Sequence, residues 1–238
     1  MKDGMGSPWE QAAADQYSHK ISLKIPGYQL QYDLMDTLMA ALFDEQPCPE
    51  VLVVGAGGGQ EILTLARKHQ DWRFSGVDTS IRMLAAAERR VAEAGLEARV
   101  QLQHGELAAW KSSRLYTGAT CMLVLHFVEG RKKKLALLQS IAGHLEAGAP
   151  LFISAINGDT SSPAWSLQMA GWKIHMLNNG IPLKEWEQFE QSFGVTSFPL
   201  PPEEIELLLR QAGFTAVTRY FGSYLIDAWV AVAGGGAE

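Results

Sequence analysis

Two hydrophobic rhythms alternate between residues 50 and 156. Short apolar runs read as strands: "VLVV" (51–54), "RFSGVD" (73–78), "ARVQLQHG" (98–105), "ATCMLVL" (119–125) and "APLFISAI" (149–156). The β-branched run at 51–54 has the pattern of a strand buried on both faces. Between the runs, residues 60–70, 80–95 and 131–148 carry apolar groups at helical spacing. Ser80 is placed to cap the second of these helices and Gly95 to end it. Upstream, residues 28–44 place Leu30, Leu34, Leu38 and Leu42 at helical spacing. The alternation predicts right-handed βαβ crossovers and a parallel sheet with helices on both faces.

The rhythm breaks after Asn157. Trp165, Met169, Trp172, Met176, Trp186, Phe189, Phe193 and Phe198 crowd the next segment, which predicts helices near 162–178 and 183–193. A Pro-led helix follows at 201–213, and 214–233 reads as a β-hairpin turning at Gly222–Ser223. The fold class is therefore α/β: a Rossmann-like sheet of seven strands, mostly parallel, closed by an antiparallel hairpin, with a helical lid inserted before it.

Composition narrows the functional classes. The 238 residues carry a formal net charge of −6, which argues against broad binding to nucleic acid or an anionic membrane. No apolar run approaches the roughly 18 residues a membrane span needs, and residues 1–16 lack a signal-peptide core. Two cysteines, Cys48 and Cys121, make neither a disulfide framework nor a metal site alone, so a cytoplasmic protein without a metal centre is expected. The sequence leaves room for a homodimer.

The stretch "VLVVGAGGGQE" (51–61) ends its strand on four glycines. Such a bend lets the backbone approach a ligand closely, and the N–H groups of the following helix favour a polar or anionic ligand group. A dinucleotide fingerprint G-x-G-x-x-G fails, because Gly55 and Gly57 are followed by Gln60. G-x-G-x-G fits, with Gly55, Gly57 and Gly59. Asp78 closes the second strand, placed to accept hydrogen bonds from ribose hydroxyls. The plainer reading makes the glycines a tight turn and Asp78 a helix cap.

These motifs resemble the class I S-adenosylmethionine-dependent methyltransferases. "VLVVGAGGG" overlays their usual "VLDLGCGTG" without a gap, "HGEL" (104–107) their adenine-reading segment, and "GHLEAGAPLFIS" their turn into strand five. The resemblance implies a cofactor, S-adenosylmethionine, held by Tyr28, Gly55, Ala56, Gly57, Gln60, Asp78, Thr79, Met83, Gly105, Glu106, Leu107 and Met122. It implies one methyltransferase domain over 1–238: an N-terminal helical cap (1–48), a cofactor-binding core (49–156), a helical lid (157–200) and a terminal helix with hairpin (201–233). "KIPGYQLQYDLM" (24–35) also resembles the entry helix of the carboxy-S-adenosylmethionine synthases, which feed transfer-RNA modification. Two positions depart from these patterns. Val53 stands where the family commonly has an acid, and Leu208 where the synthases carry an arginine.

The expected chemistry is in-line methyl transfer to a small, largely apolar acceptor. The alternatives are carboxy-S-adenosylmethionine synthesis and non-catalytic cofactor binding. The chain shows no obligatory general base; His126, after the fourth strand, is a candidate, against the plainer reading of a histidine packed under the next helix. His175 and Tyr220 are weaker candidates for the pocket. Trp165, Trp172 and Trp186 are candidates to face the pocket from the lid, against the plainer reading of core packing. "RKKK" (131–134) reads as a solvated charge run, with RNA contact as its alternative.

Overall fold

In a computed structural model, residues 20–110 and 114–235 are described. The expectation on the first 16 residues lies outside them. Helix α1 (Tyr28–Leu42) leads into β1 (Glu50–Val54), α2 (Gln60–Lys68), β2 (Arg73–Asp78), α3 (Ile81–Glu93) and β3 (Val100–His104). Then come β4 (Gly118–Met122), α4 (Arg131–Ala142), β5 (Pro150–Ile156), α5 (Pro163–Asn178), α6 (Leu183–Gln191), α7 (Pro202–Gln211), β6 (Phe214–Ser223) and β7 (Ile226–Ala233).

The strands form a seven-stranded sheet in the order β3-β2-β1-β4-β5-β7-β6. β1 to β5 pair in parallel, and β7 runs antiparallel to both β5 and β6. The sheet grows outward from β1 through β2 to β3, then returns to β4 on β1's other side. That reversal opens a crevice at the carboxyl ends of β1 and β4, where open α/β sheets bind ligands.

Alternation along β1 shows why its sequence is apolar throughout. Val51 and Val53 enter one core with α1, α2 and the inserted helices; Leu52 and Val54 enter the other with α4 and α7. Each buried side chain contributes about 1.5–3 kcal/mol through lost contact with water. Ser80 caps α3, its Oγ accepting from Met83 N–H at 3.4 Å.

The helix expected over residues 28–44 is present with a different inward face, and two other sequence expectations are corrected. Leu30, Leu38 and Leu42 are exposed on the outer side of α1, while Tyr28, Tyr32, Met35 and Met39 are buried with Gln31 and Asp36. The hairpin turns at Tyr224–Leu225, with Ser223 already paired to Ile226 and Tyr224 at φ +47°. Gly222 instead lies in β6, where an added Cβ would come within 2.7 Å of Asp227 Oδ1. "RKKK" is not a uniform solvated face: Arg131 reaches Glu204 and Gln211 of α7, and Lys134 is buried.

Candidate functional site

A cavity of about 840 Å³ lies at the crevice. Its floor is the loop after β1. Gly55, Gly57 and Gly59 have φ of +73°, +50° and +79°, conformations that only glycine adopts without strain. This curls the chain so that α2 begins against the cavity. The Arg90 guanidinium of α3 braces the curl, donating to Gly58 O at 2.6 Å and Gln60 Oε1 at 3.2 Å. Met83, one turn into α3, borders the cavity beside Gly57.

Asp78 ends β2 at the cavity. Its Oδ2 accepts from Gly57 N–H at 2.7 Å and its Oδ1 from Ser80 N–H at 2.8 Å. Burial raises its carboxyl above the ordinary range, with these backbone bonds opposing the shift. Gly105 N–H donates to Asp78 O at 2.9 Å and so fixes the start of the next loop, where Gly105, Glu106 and Leu107 border the cavity.

All twelve residues expected from the resemblance border this one cavity: Tyr28, Gly55, Ala56, Gly57, Gln60, Asp78, Thr79, Met83, Gly105, Glu106, Leu107 and Met122. The residue types fit an adenosyl ligand. An acid borders the cavity and could accept from hydroxyls, backbone N–H groups line the glycine curl, and the Met83 thioether offers an apolar surface suited to a flat base. Another part of the lining is apolar, and no single sequence motif marks it. Ile21 and Tyr32 form it with Phe127, Val195 and Phe198.

Glu61 is the acid nearest the glycine curl in sequence. It is 4% exposed, borders the cavity from the second residue of α2, and burial pushes its carboxyl up to about 8. An acid directly after a glycine curl was the available signal, but acids are also common in first helical turns for dipole reasons alone.

His126 is corrected. It lies in a 3₁₀ turn (Leu125–Phe127) and is not among the residues bordering the cavity. Its Nδ1 accepts from Ile156 N–H at 3.2 Å, and its backbone O accepts from Phe198 N–H at 2.6 Å. Burial and the nearby Lys134 ammonium push its imidazole down to about 3, so it is neutral at physiological pH and no base there. Lys134, itself lowered to about 8 by burial, donates to Leu125 O at 2.6 Å. Together they pin the turn to β5 and α4. His126→Asn, which keeps an acceptor near Nδ1, is expected to preserve the melting temperature and S-adenosylhomocysteine affinity. His126→Ala leaves the Ile156 N–H unpaired and costs about 1–3 kcal/mol, read by thermal denaturation.

The tryptophans of the insertion pack rather than face this cavity. Trp172 meets Phe189 at 4.9 Å between ring centroids, Trp186 meets Phe189 at 5.6 Å, and Trp165 meets Phe193 at 4.9 Å. Trp172 Nε1–H donates to Lys24 O at 2.6 Å, tying α5 to the chain before α1. His175 and Tyr220 also lie off the cavity; Tyr220 packs edge-on against Phe152. Leu208 is fully buried with α7 in the other core. A second cavity of about 570 Å³ lies by the β6–β7 turn, where Arg219 and Asp227 already pair at 3.1 Å. Among the described residues, no group of three or more His, Cys, Asp or Glu side chains is placed to hold a metal, and no helix is long and apolar enough to cross a membrane.

Sheet order, glycine curl and terminal acid together make a Rossmann-like fold of the kind methyltransferases share. In agreement, residues 51–148 match the profile of the methyltransferase domain family. The chain is similar to the ubiquinone biosynthesis O-methyltransferase of Nitrosomonas europaea, with 24% identity over 77% of this chain and 69% of that protein. A protein of the same name from an Azoarcus species is 24% identical over 71% of this chain and 65% of its own length. Among solved structures, an O-methyltransferase family protein from Burkholderia thailandensis shares the fold. Its TM-score is 0.69 at 18% identity, over 97% of this chain and 63% of that one. Magnesium protoporphyrin IX methyltransferase from Synechocystis, solved with S-adenosylhomocysteine, has a TM-score of 0.65 at 15% identity, over 93% and 96%. The chain thus spans less than two thirds of the Azoarcus and Burkholderia proteins.

Proposed function

We propose that the protein transfers the methyl group of S-adenosylmethionine to a hydroxyl oxygen of a small, largely apolar, aromatic acceptor. The observation that carries this reading is the continuity of the cavity. At about 840 Å³ it runs from Asp78 and the glycine curl to the apolar wall of Ile21, Tyr32, Phe127, Val195 and Phe198. That volume lies high in the roughly 300–1,000 Å³ range of small-molecule sites. The names of the two curated relatives favour oxygen as the acceptor atom.

S-adenosylmethionine supplies a methyl group already activated for displacement. The chain's own part is to bind, align and exclude water. Asp78 would receive the ribose hydroxyls, Met83 and Leu107 would offer apolar contact to the base, and Gly105 to Leu107 would supply backbone groups to its edge. Tyr28 covers the cofactor from α1. Its own hydroxyl stays protonated, because burial opposes ionisation. The apolar wall holds the acceptor ring. Carboxy-S-adenosylmethionine synthesis has less behind it, because Leu208 lies away from the cavity and brings no cation to it.

The test incubates the protein with methyl-labelled S-adenosylmethionine and a panel of catechols and substituted phenols, alongside amines and thiols as controls. Transfer to at least one hydroxylated aromatic is expected. Cofactor binding with transfer only to amines or thiols rejects the oxygen reading and leaves the domain class standing.

A further inference from the structure

Glu61 differs from the other carboxyls of the cavity. Asp78 accepts two backbone N–H groups, Glu129 pairs with Lys133 at 3.7 Å, and Glu106 stands exposed to water. The Glu61 carboxyl is buried, accepts from its own backbone N–H, and makes no ion pair among the described residues. Among the described residues, the groups around it do not supply a cation in contact. Tyr28 lies near it on α1, Asp78 at the end of β2, Cys121 on β4 and Arg90 on α3. Arg90 is the cation of this set, and its guanidinium is turned to Gly58 O and Gln60 Oε1. On β1, Val53 is fully buried and apolar, so no acid reaches the cavity from that strand.

A buried carboxylate without a cationic partner is costly. One that borders a binding cavity loses that cost when the ligand brings the cation. We propose that Glu61 receives the α-ammonium group of the cofactor's aminoacyl arm, acting from the start of α2 where Val53 offers nothing from β1. This rests on the reading of the cavity as an S-adenosylmethionine site.

Proton balance follows from the burial of the carboxyl. With its pKa raised to about 8, ligand-free Glu61 carries a proton at pH 7. Pairing with an ammonium requires the carboxylate. The proton therefore leaves to the buffer as the ligand enters, and the ammonium hydrogens take its place. Below pH 8, affinity then falls as pH falls, by up to about tenfold per unit.

Isothermal titration with two probes tests this. S-adenosylhomocysteine carries the ammonium; 5′-methylthioadenosine keeps the adenosine and thioether but lacks the aminoacyl arm. Glu61→Gln is expected to weaken S-adenosylhomocysteine by about 30-fold and leave methylthioadenosine unchanged. Retained methylthioadenosine binding also shows that the variant is folded. In buffers of different ionisation enthalpy at pH 7, the unaltered protein should release close to one proton per S-adenosylhomocysteine, and Glu61→Gln none. Equal losses for both probes, no loss for either, or no proton release overturns the role of Glu61. Failure of the unaltered protein to bind either probe overturns the cofactor reading instead.

Discussion

Asp78→Ala is expected to weaken S-adenosylhomocysteine binding by about 100-fold. Both carboxylate oxygens are positioned before any ligand arrives, by Gly57 N–H at 2.7 Å and Ser80 N–H at 2.8 Å. Each oxygen keeps a further lone pair for a ligand hydroxyl. Hydrogen bonds to a charged group contribute about 1.5–3 kcal/mol, so losing the carboxylate removes roughly 3 kcal/mol of binding, or two orders of magnitude. The substitution also frees the Gly57 and Ser80 N–H groups, so the glycine curl loses its tie to β2. Asp78→Asn is expected to fall between, since its amide nitrogen would meet one of those donors with a donor. The pH sign is fixed by the same chemistry. Burial raises the Asp78 carboxyl, and protonation removes its strongest acceptor form, so affinity drops as pH falls through that raised value. Titration calorimetry on both variants, with circular dichroism to confirm folding, checks this. Unchanged affinity in Asp78→Ala would reject the ribose role.

Much of the fold was legible because burial leaves a mark on both faces of a parallel strand. "VLVV" and "RFSGVD" are apolar where two cores meet, and the glycine curl follows from φ values that other residues avoid. What periodicity does not carry is direction. Leu30, Leu38 and Leu42 share one side of α1, yet the inward side is built from Tyr28, Tyr32, Met35 and Met39, whose long side chains join the core where α1 meets α2, β5 and β6. The hairpin turn slipped by two residues for a related reason. Gly222 is small because Asp227 lies across from it, not because the chain bends there. Of the site, the cofactor-facing half was readable from motifs local in sequence. The apolar wall was less so, because Ile21, Tyr32, Phe127, Val195 and Phe198 come from segments far apart in the chain. His126 shows the converse. A histidine after a strand suits catalysis, and only its bonds to Ile156 and Phe198 reveal a bracket.

Gly55→Ala is expected to be the most damaging single substitution in the curl, lowering stability by at least about 3 kcal/mol. Two costs combine. At φ +73° an L side chain is strained, by about 1–2 kcal/mol. The added Cβ would also strike Cγ2 of Val124, in the loop after β4. That loop has little freedom to retreat. Leu123 N–H donates to Ser154 O at 2.9 Å and to its Oγ at 3.1 Å, and Lys134 holds the next turn through Leu125 O at 2.6 Å. The displaced groups also border the cavity, so ligand affinity should fall with stability. Gly105→Ala gives the contrast: its φ is +141°, but no atom lies within 4 Å of the added Cβ, so strain acts alone. For a chain of this size, 3 kcal/mol corresponds to a fall of about 6–12 °C in melting temperature. The double variant Gly55→Ala/Val124→Ala removes the collision and keeps the strain, so it should recover part of the loss and no more. Full recovery would mean that backbone strain contributes nothing at Gly55; no recovery would mean that the collision contributes nothing. A single variant that melts with the unaltered protein would reject both the strain and the collision at Gly55.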